Sequence, residues 1–208
     1  MLLTNLNSKG FIVCIVLAAG SSKRMGSPKQ LLKISNTTLI GNACKTALNS
    51  GSNGVVVVTG SNSELIRKEI IGLPVTIIEN KNWEEGIASS IRTSVNYVIS
   101  TFHNADGILI TLCDQPLITS AFLSEIIQIF QKNNGKSVAT TYKNSPGVPA
   151  IFSKDLFYEL IQLKGDEGAK SILMKYQKEL ITASPGDILL DIDTPEDYKE
   201  YTTLIKYI

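Results

Sequence analysis

Histidine is almost missing from this chain. His103 is the only one, and it lies in the polar connection STFHNADG, so a triad built on imidazole is excluded. Cysteine is nearly as scarce: Cys14, Cys44 and Cys113 are far apart and form no CxxC pair, which argues against a zinc site or a disulfide framework. Their apolar surroundings make them small core residues of a reducing compartment. No apolar run is long enough to span a membrane. The opening MLLTNLNSKG carries one lysine, and FIVCIVLAAG behind it is short and ends in glycine. No signal peptide is therefore expected, and the cytoplasm is the expected location. An excess of either charge is also lacking, with 20 Lys and Arg against 19 Asp and Glu. That balance excludes a nucleic-acid track and a polybasic membrane contact, so an anionic ligand must be met by a local positive cluster. Repeats, low-complexity stretches and Pro/Gly-rich linkers are absent as well. At 208 residues the expectation is one domain over 1–208, with 1–10 as an N-terminal extension.

What is present is an alternation. FIVCIVL, VVVVT, VTIIE, GILITLC and SVATTY are short, continuous β-branched runs that suit buried strands. Between them TTLIGNACKTALNSG, SNSELIRKEIIG and GIASSIRTSVNYVIS place apolar residues three and four apart, the period of an amphipathic helix. Gly51 and Gly72 stand where helix C-caps would fall. Thr119 and Ser120 offer N-caps for AFLSEIIQIFQKN, which closes at Gly135. The order predicts a three-layer α/β/α fold, Rossmann-like, with a mainly parallel sheet and right-handed crossovers. The last third, VPAIF followed by two short helical segments and DILLDID, is expected to add a mixed-direction strand and a lid.

In such sheets ligands bind beyond the carboxyl ends of the strands, and the first strand–helix connection is the usual phosphate site. Here strand one runs into LAAGSSKRMGSPKQLL. Ala18, Ala19 and Gly20 allow close approach of the backbone, whose successive N–H groups can form an anion nest. Lys23, Arg24 and Lys29 add positive charge suited to a triphosphate. Gly26 is followed by Ser27-Pro28, not Lys-Ser/Thr, and Gly20 by Ser21-Ser22, so the Walker and GxGxxG patterns are both missing. A surface turn with solvated basic residues is the plainer reading of the same stretch.

This loop resembles the signature of the MobA-like nucleotidyltransferases, most of all their molybdenum cofactor cytidylyltransferase branch. The resemblance covers nearly the whole chain, from Leu17 to Asp197. It implies a loop backbone (Leu17, Ala18, Ala19, Gly20, Ser22) that holds a nucleotide, with Arg24 and Lys29 on its phosphates. The guanylyltransferase branch reads LAGG and carries aspartate before the lysine; Ala19 and Pro28 stand closer to the cytidylyl pattern, favouring CTP.

Two carboxylates extend the reading. GILITLCDQP ends a buried strand with Asp114, which would point into the ligand crevice. Magnesium needs only a few carboxylates beside substrate phosphates, although an aspartate that merely begins a turn is common. CDQP is similar to the family's metal motif. In LLDIDTPEDY, Asp191 and Asp193 are two apart and would share one face of a strand. Thr194-Pro195-Glu196-Asp197 reads as a helix N-cap, proline at N1 and an acidic first turn. By resemblance the aspartate just before TP, Asp193, is the second metal ligand, with Asp191 the alternative.

Asn80, Asn82 and Trp83 precede Gly86 and Ser89-Ser90 in a stretch similar to the family's NxxWxxGxxxS region, which lies beside the nucleotide. It assigns Asn82, Gly86 and Ser90 to nucleotide binding, with an asparagine amide able to pair with a base edge. Trp83 reads equally well as a core residue. LKGDEGAKSIL resembles GDxGAR with Lys170 in place of arginine; Gly168 could free a helix N-terminus for an anion, and Lys170 reads as a phosphate ligand or as a solvated lysine. Where related proteins carry GHP this chain has Gly147-Val148-Pro149, a departure that bears on the acceptor. The resemblance thus implies Arg24, Lys29 and Asp114 as catalytic, Asp114 and Asp193 as ligands of Mg²⁺ (or Mn²⁺), and Gly147, Pro149 and Lys170 as acceptor-binding. The partners implied are a nucleoside triphosphate, a molybdopterin-type acceptor, and a molybdoenzyme client or its chaperone. The alternatives are a transferase using GTP or another phosphorylated acceptor, and a non-catalytic carrier of nucleotide or pterin.

Overall fold

The computed structural model describes residues 10–142, 145–186 and 190–205. Its first strand, β1 (Ile12–Ala18), is buried along its whole length. It lies between β4 (Gly54–Thr59) and β6 (Gly107–Leu112), both parallel to it, and β5 (Thr76–Glu79) extends the parallel block beyond β4. On the other side of β6 the direction reverses. β8 (Ser145–Ser153) pairs antiparallel with β6 and with β7 (Val138–Tyr142), and β9 (Ile181–Ala183) closes the edge parallel to β7. The seven-stranded order is β5-β4-β1-β6-β8-β7-β9. A small hairpin, β2 (Lys33–Ile34) with β3 (Thr37–Thr38), lies outside it.

Alternation along β1 assigns the two cores. Ile12, Cys14, Val16 and Ala18 pack with α1 (Leu39–Leu48), α2 (Ser63–Ile70) and α4 (Ser120–Lys132). Val13, Ile15 and Leu17 face α3 (Ile87–Thr101), α5 (Phe157–Leu160) and α6 (Lys170–Lys175). The expected three-layer α/β/α fold with a mainly parallel sheet is what forms, because a two-residue side-chain period sends every second apolar residue to the opposite face. A third cluster joins Ile34, Leu39, Ile192 and Tyr201, and it fixes α7 (Pro195–Leu204) near the first loop.

Local chemistry sets the ends. The Thr38 and Thr119 hydroxyls cap α1 and α4 by accepting from the amides of Gly41 and Phe122. Thr194 and Asp197 form a reciprocal capping box behind Pro195. Gly51 and Gly135 adopt left-handed conformations after α1 and α4. Gly72 does not: it is not among the positive-φ glycines, and α2 ends at Ile70 with a right-handed Ile71. Three short elements were not legible, namely the β2–β3 hairpin and β9, because strands of two or three residues carry no periodicity. The stretch read as helical from Thr37 instead begins with β3 and becomes helical at Leu39. Of DILLDID, residues 187–189 lie outside the described residues, and Leu190–Asp193 are not in a strand. The three cysteines are free and buried, and burial pushes their thiols well up, Cys44 to about 12.

Candidate active site

All four strands of the parallel block end on one edge, so their following loops converge there. Ala18 leads into the glycine-rich loop, Thr59 into Gly60, Glu79 into Asn80, and Leu112 into Cys113-Asp114. A cavity of about 700 Å³ opens on this edge, lined among others by Leu17, Ala18, Ala19, Gly20, Lys29, Gly86, Ser90 and Asp114. All eight are site residues expected from the sequence. Gln30, Trp83, Glu84, Ile87 and Asp166 also line the cavity. Trp83 is half-buried, a wall residue and not a core one.

The glycines show where backbone space is needed. A Cβ placed on Gly20 would meet nothing within 4 Å, so packing does not demand glycine there. At Gly60 it would come within 2.7 Å of the Ala19 carbonyl and 2.8 Å of Trp83 Cβ, which seats the loop against the tryptophan turn. Gly86 has φ 108°, and a side chain would overlap the Gly165 carbonyl and the Asp166 carboxylate. The Gly165 carbonyl accepts from the Ala88 amide at 3.1 Å. The WxxG and GDEG segments, whose Gly86 and Gly165 are 79 residues apart in sequence, are thus pinned together at the mouth. Gly165, with φ 56°, supplies the turn; Gly168 does not have a positive φ.

Charge concentrates at the other end. Lys29 Nζ lies 2.5 Å from Asp114 Oδ2 and 2.7 Å from Asp193 Oδ1, and Arg24 reaches Asp193 Oδ2 at 3.0 Å. The Lys29 side chain is 12% exposed and that of Arg24 68%. Burial alone would lower the Lys29 ammonium; Asp114 beside it, and hydrogen bonds to Asp114 and Asp193, hold it well above the usual lysine value. Burial raises the Asp193 carboxyl, but Lys29 and Arg24 outweigh that and keep it below the usual carboxylate range. Asp114 Oδ1 is buried and has no hydrogen-bond partner.

Asp191 and Asp193 do not share a ligand face. Between them Ile192 donates its amide to the Asp114 carbonyl at 2.9 Å and buries its side chain in the third cluster. Asp193 joins Lys29, while Asp191 accepts from Gln115 Nε2 at 2.9 Å. Gln115 also donates to the Tyr142 hydroxyl at 3.2 Å, which in turn donates to the Val148 carbonyl. Gly147 leaves room for that ring, since a Cβ would come within 2.8 Å of Tyr142 Cε2. Gly147 and Pro149, the latter after a cis peptide bond, therefore sit on a second arm beside the first.

Other residues lie elsewhere. Asn82 is exposed, outside the cavity lining, as the cap of the Trp83–Glu85 turn. Asn80 is buried with its amide spent on Ser89, Ser90 and the Asn82 backbone, so it ties β5 to α3 and has no free base-pairing edge. Ser22 and Arg24 belong to the loop but do not line the cavity, and neither does Lys170, which is exposed at the start of α6. His103 is an exposed loop residue. Gln30 and Gln115 stand inside the loop and CDQP motifs without being singled out by them, and Tyr142 and Gly60 had no motif to announce them. No helix among the described residues is long and apolar enough to cross a membrane.

Known proteins resemble this chain in sequence and in fold. The chain is 28% identical to the molybdenum cofactor cytidylyltransferase of Escherichia coli K12 over 90% of this chain and 93% of that one. It is 32% identical to the purine catabolism protein PucB of Bacillus subtilis 168, covering 90% and 94%. Among solved structures, Rv0371c of Mycobacterium tuberculosis H37Rv superposes with a TM-score of 0.82 at 27% identity, over 94% of this chain and all of that one; a complex of Rv0371c with manganese gives 0.77 at 27%, over 91% and 97%. The family model of the MobA-like NTP transferase domain matches residues 14–180, and the chain belongs to that nucleotidyltransferase family.

Proposed function

We propose that this chain transfers a nucleoside monophosphate, CMP from CTP, to the terminal phosphate of a molybdopterin-type acceptor and releases pyrophosphate. The observation that carries the reading is the meeting of Asp114 and Asp193 around Lys29 at the mouth of the glycine-rich loop. In the reaction an acceptor phosphate oxygen bonds to the α-phosphorus as the bridging oxygen to the β-phosphorus departs with pyrophosphate. Such chemistry depends on positioning and charge neutralisation and requires no covalent intermediate. The loop backbone from Leu17 to Ser22, with Gly86 and Ser90, would hold the nucleotide, and Lys29 and Arg24 would offset charge on its phosphates.

The residues fit a hard divalent cation. Asp114 offers a buried oxygen that nothing else satisfies, and Asp193 offers a second carboxylate kept ionised. No group of three His, Cys, Asp or Glu residues among those described could hold a metal, so phosphate oxygens would have to complete the coordination, as suits Mg²⁺ or Mn²⁺. A cation held by Asp114 and Asp193 would supply charge neutralisation at the α-phosphate and orient the attacking oxygen. The manganese complex of Rv0371c supports that choice.

CTP is favoured over GTP by Ala19 and Pro28 and by the cytidylyltransferase relative, against a 28% identical relative named a probable guanylyltransferase. On the acceptor side, Gly147 and Pro149 stand with Tyr142 and Gln115. Lys170, exposed at the start of α6 and outside the cavity lining, is the third candidate on that side. The test is pyrophosphate release with CTP, GTP, ATP and UTP in turn against molybdopterin cofactor. Turnover is expected with CTP foremost; tight pterin binding without turnover on any nucleotide would replace the enzyme by a carrier.

A further inference from the structure

Gln30 follows Lys29 in the short turn Lys29–Leu31 and is 1% exposed. A buried amide carries four hydrogen-bonding positions and persists in a core only when they are used. Its Nε2 donates to the Gly20 carbonyl at 2.7 Å and the Ala18 carbonyl at 3.2 Å. Its Oε1 accepts from the Ser22 hydroxyl at 3.2 Å, and Ser22 Oγ accepts from the Lys29 amide at 3.0 Å. The orientation is forced, because two carbonyls can face only the nitrogen end of the amide.

In a trans peptide the C=O and the following N–H point in opposite directions. Holding the carbonyls of Ala18 and Gly20 toward Gln30 therefore turns the N–H groups of Ala19 and Ser21 away from it. Ala19, Gly20 and Ser21 all line the cavity. Among the described residues, no acceptor outside a regular element takes the amides of Gly20, Ser21 or Ser22. Left-handed backbone at Ser22 (φ 56°) and Gly26 (φ 66°) continues the concave path, the geometry of an anion nest. The Ser22 link also sets where Lys29 leaves the backbone.

We infer that Gln30 is a positioning residue: its buried amide holds the Ala18 and Gly20 carbonyls and Ser22 on one side of the loop, so that backbone N–H groups face the cavity to bind polyphosphate. The inference deepens the nucleotidyltransferase reading and rests on it. It assigns to a buried side chain at the cavity wall, through the backbone it holds, the tuning of the triphosphate end of the site.

The experiment is calorimetric titration of the full chain with inorganic tripolyphosphate and with CTP, alongside pyrophosphate-release kinetics, for wild type, Gln30→Leu and Gln30→Glu. Gln30→Leu removes every bond at similar volume. Gln30→Glu keeps the acceptor but opposes a carboxylate oxygen to two carbonyls. Expected is a fall of ~10- to 100-fold in affinity for tripolyphosphate and CTP alike, a matching rise in nucleotide KM and an unchanged acceptor KM. Gln30→Asn, which cannot span to both carbonyls, should not rescue. A merely structural role would lower Tm without that selective split. Wild-type tripolyphosphate affinity in either variant, at near-native Tm, overturns the assignment, and Gln30→Glu carries the test should Gln30→Leu fail to fold. A wild-type chain that binds neither probe refutes the nucleotide reading itself, a result distinguishable from failure of the variants.

Discussion

The two sides of the sheet differ in regularity and in what they bring to the crevice. From β5 to β6 every strand is parallel, each loop leaves the same edge, and the loop, the tryptophan turn and Asp114 arrive together. From β8 to β9 the directions are mixed, a register shift interrupts the β7–β8 pairing between Ala139 and Thr140, and polar contacts run through Gln115, Tyr142, Asp191 and the Val148 carbonyl. On the proposed reading the regular side would hold what every nucleotide shares, the phosphates. The irregular side would hold what distinguishes one acceptor from another, and there the sequence departs from GHP to GVP. Lys29, Asp114 and Asp193 stand where the two sides meet.

If that division holds, variants at the seam should damage chemistry most. Asp114→Ala is expected to reduce pyrophosphate release by ~10³-fold or more, since several kcal/mol of charge stabilisation are lost, with the circular dichroism spectrum unchanged. Full turnover in that variant would remove Asp114 from the mechanism. Next comes the contrast between the two bases. Lys29→Met breaks a largely buried ion cluster and should cost about 3 kcal/mol in chemical denaturation, together with ~10²-fold in kcat/KM. Arg24→Met, at an exposed site, should alter stability by under ~1 kcal/mol while raising the nucleotide KM. Equal stability losses would show that burial does not separate them.

The irregular arm can be probed alone. Gln115→Leu and Tyr142→Phe should raise the acceptor KM by about tenfold and leave the nucleotide KM where it was. A shift in the nucleotide KM instead would erase the distinction between arms. The smallest effect belongs to a device outside both: Asp197→Ala loses one half of the capping box of α7 and should cost ~1 kcal/mol on thermal melting, with activity reduced only as far as Asp193 is displaced.

Much of this was legible because it depends on local rules. β-branched runs became strands, Thr119 and Thr194 became caps, and the loop after β1 became a cavity wall, each decided within a few residues of sequence. Asp114 was found for the same reason, as the carboxylate at the end of a buried strand. What escaped depends on tertiary approach. Nothing in the sequence says that Ile192 must bond to the Asp114 carbonyl, and that bond sends Asp191 and Asp193 to different partners. Gln30 and Gln115 look like ordinary polar residues until burial leaves their amides only particular partners. Asn80 shows the converse: its chemistry suited a base edge, but Ser89 and Ser90 take it up first.

The most direct test of the central claim measures Mn²⁺ binding by electron paramagnetic resonance in the presence of a non-hydrolysable CTP analogue. Wild type is expected to bind Mn²⁺ with the nucleotide, and Asp114→Asn and Asp193→Asn are each expected to lose it by at least ~10-fold in affinity. Unaltered Mn²⁺ affinity in both variants would place the metal elsewhere and contradict the account.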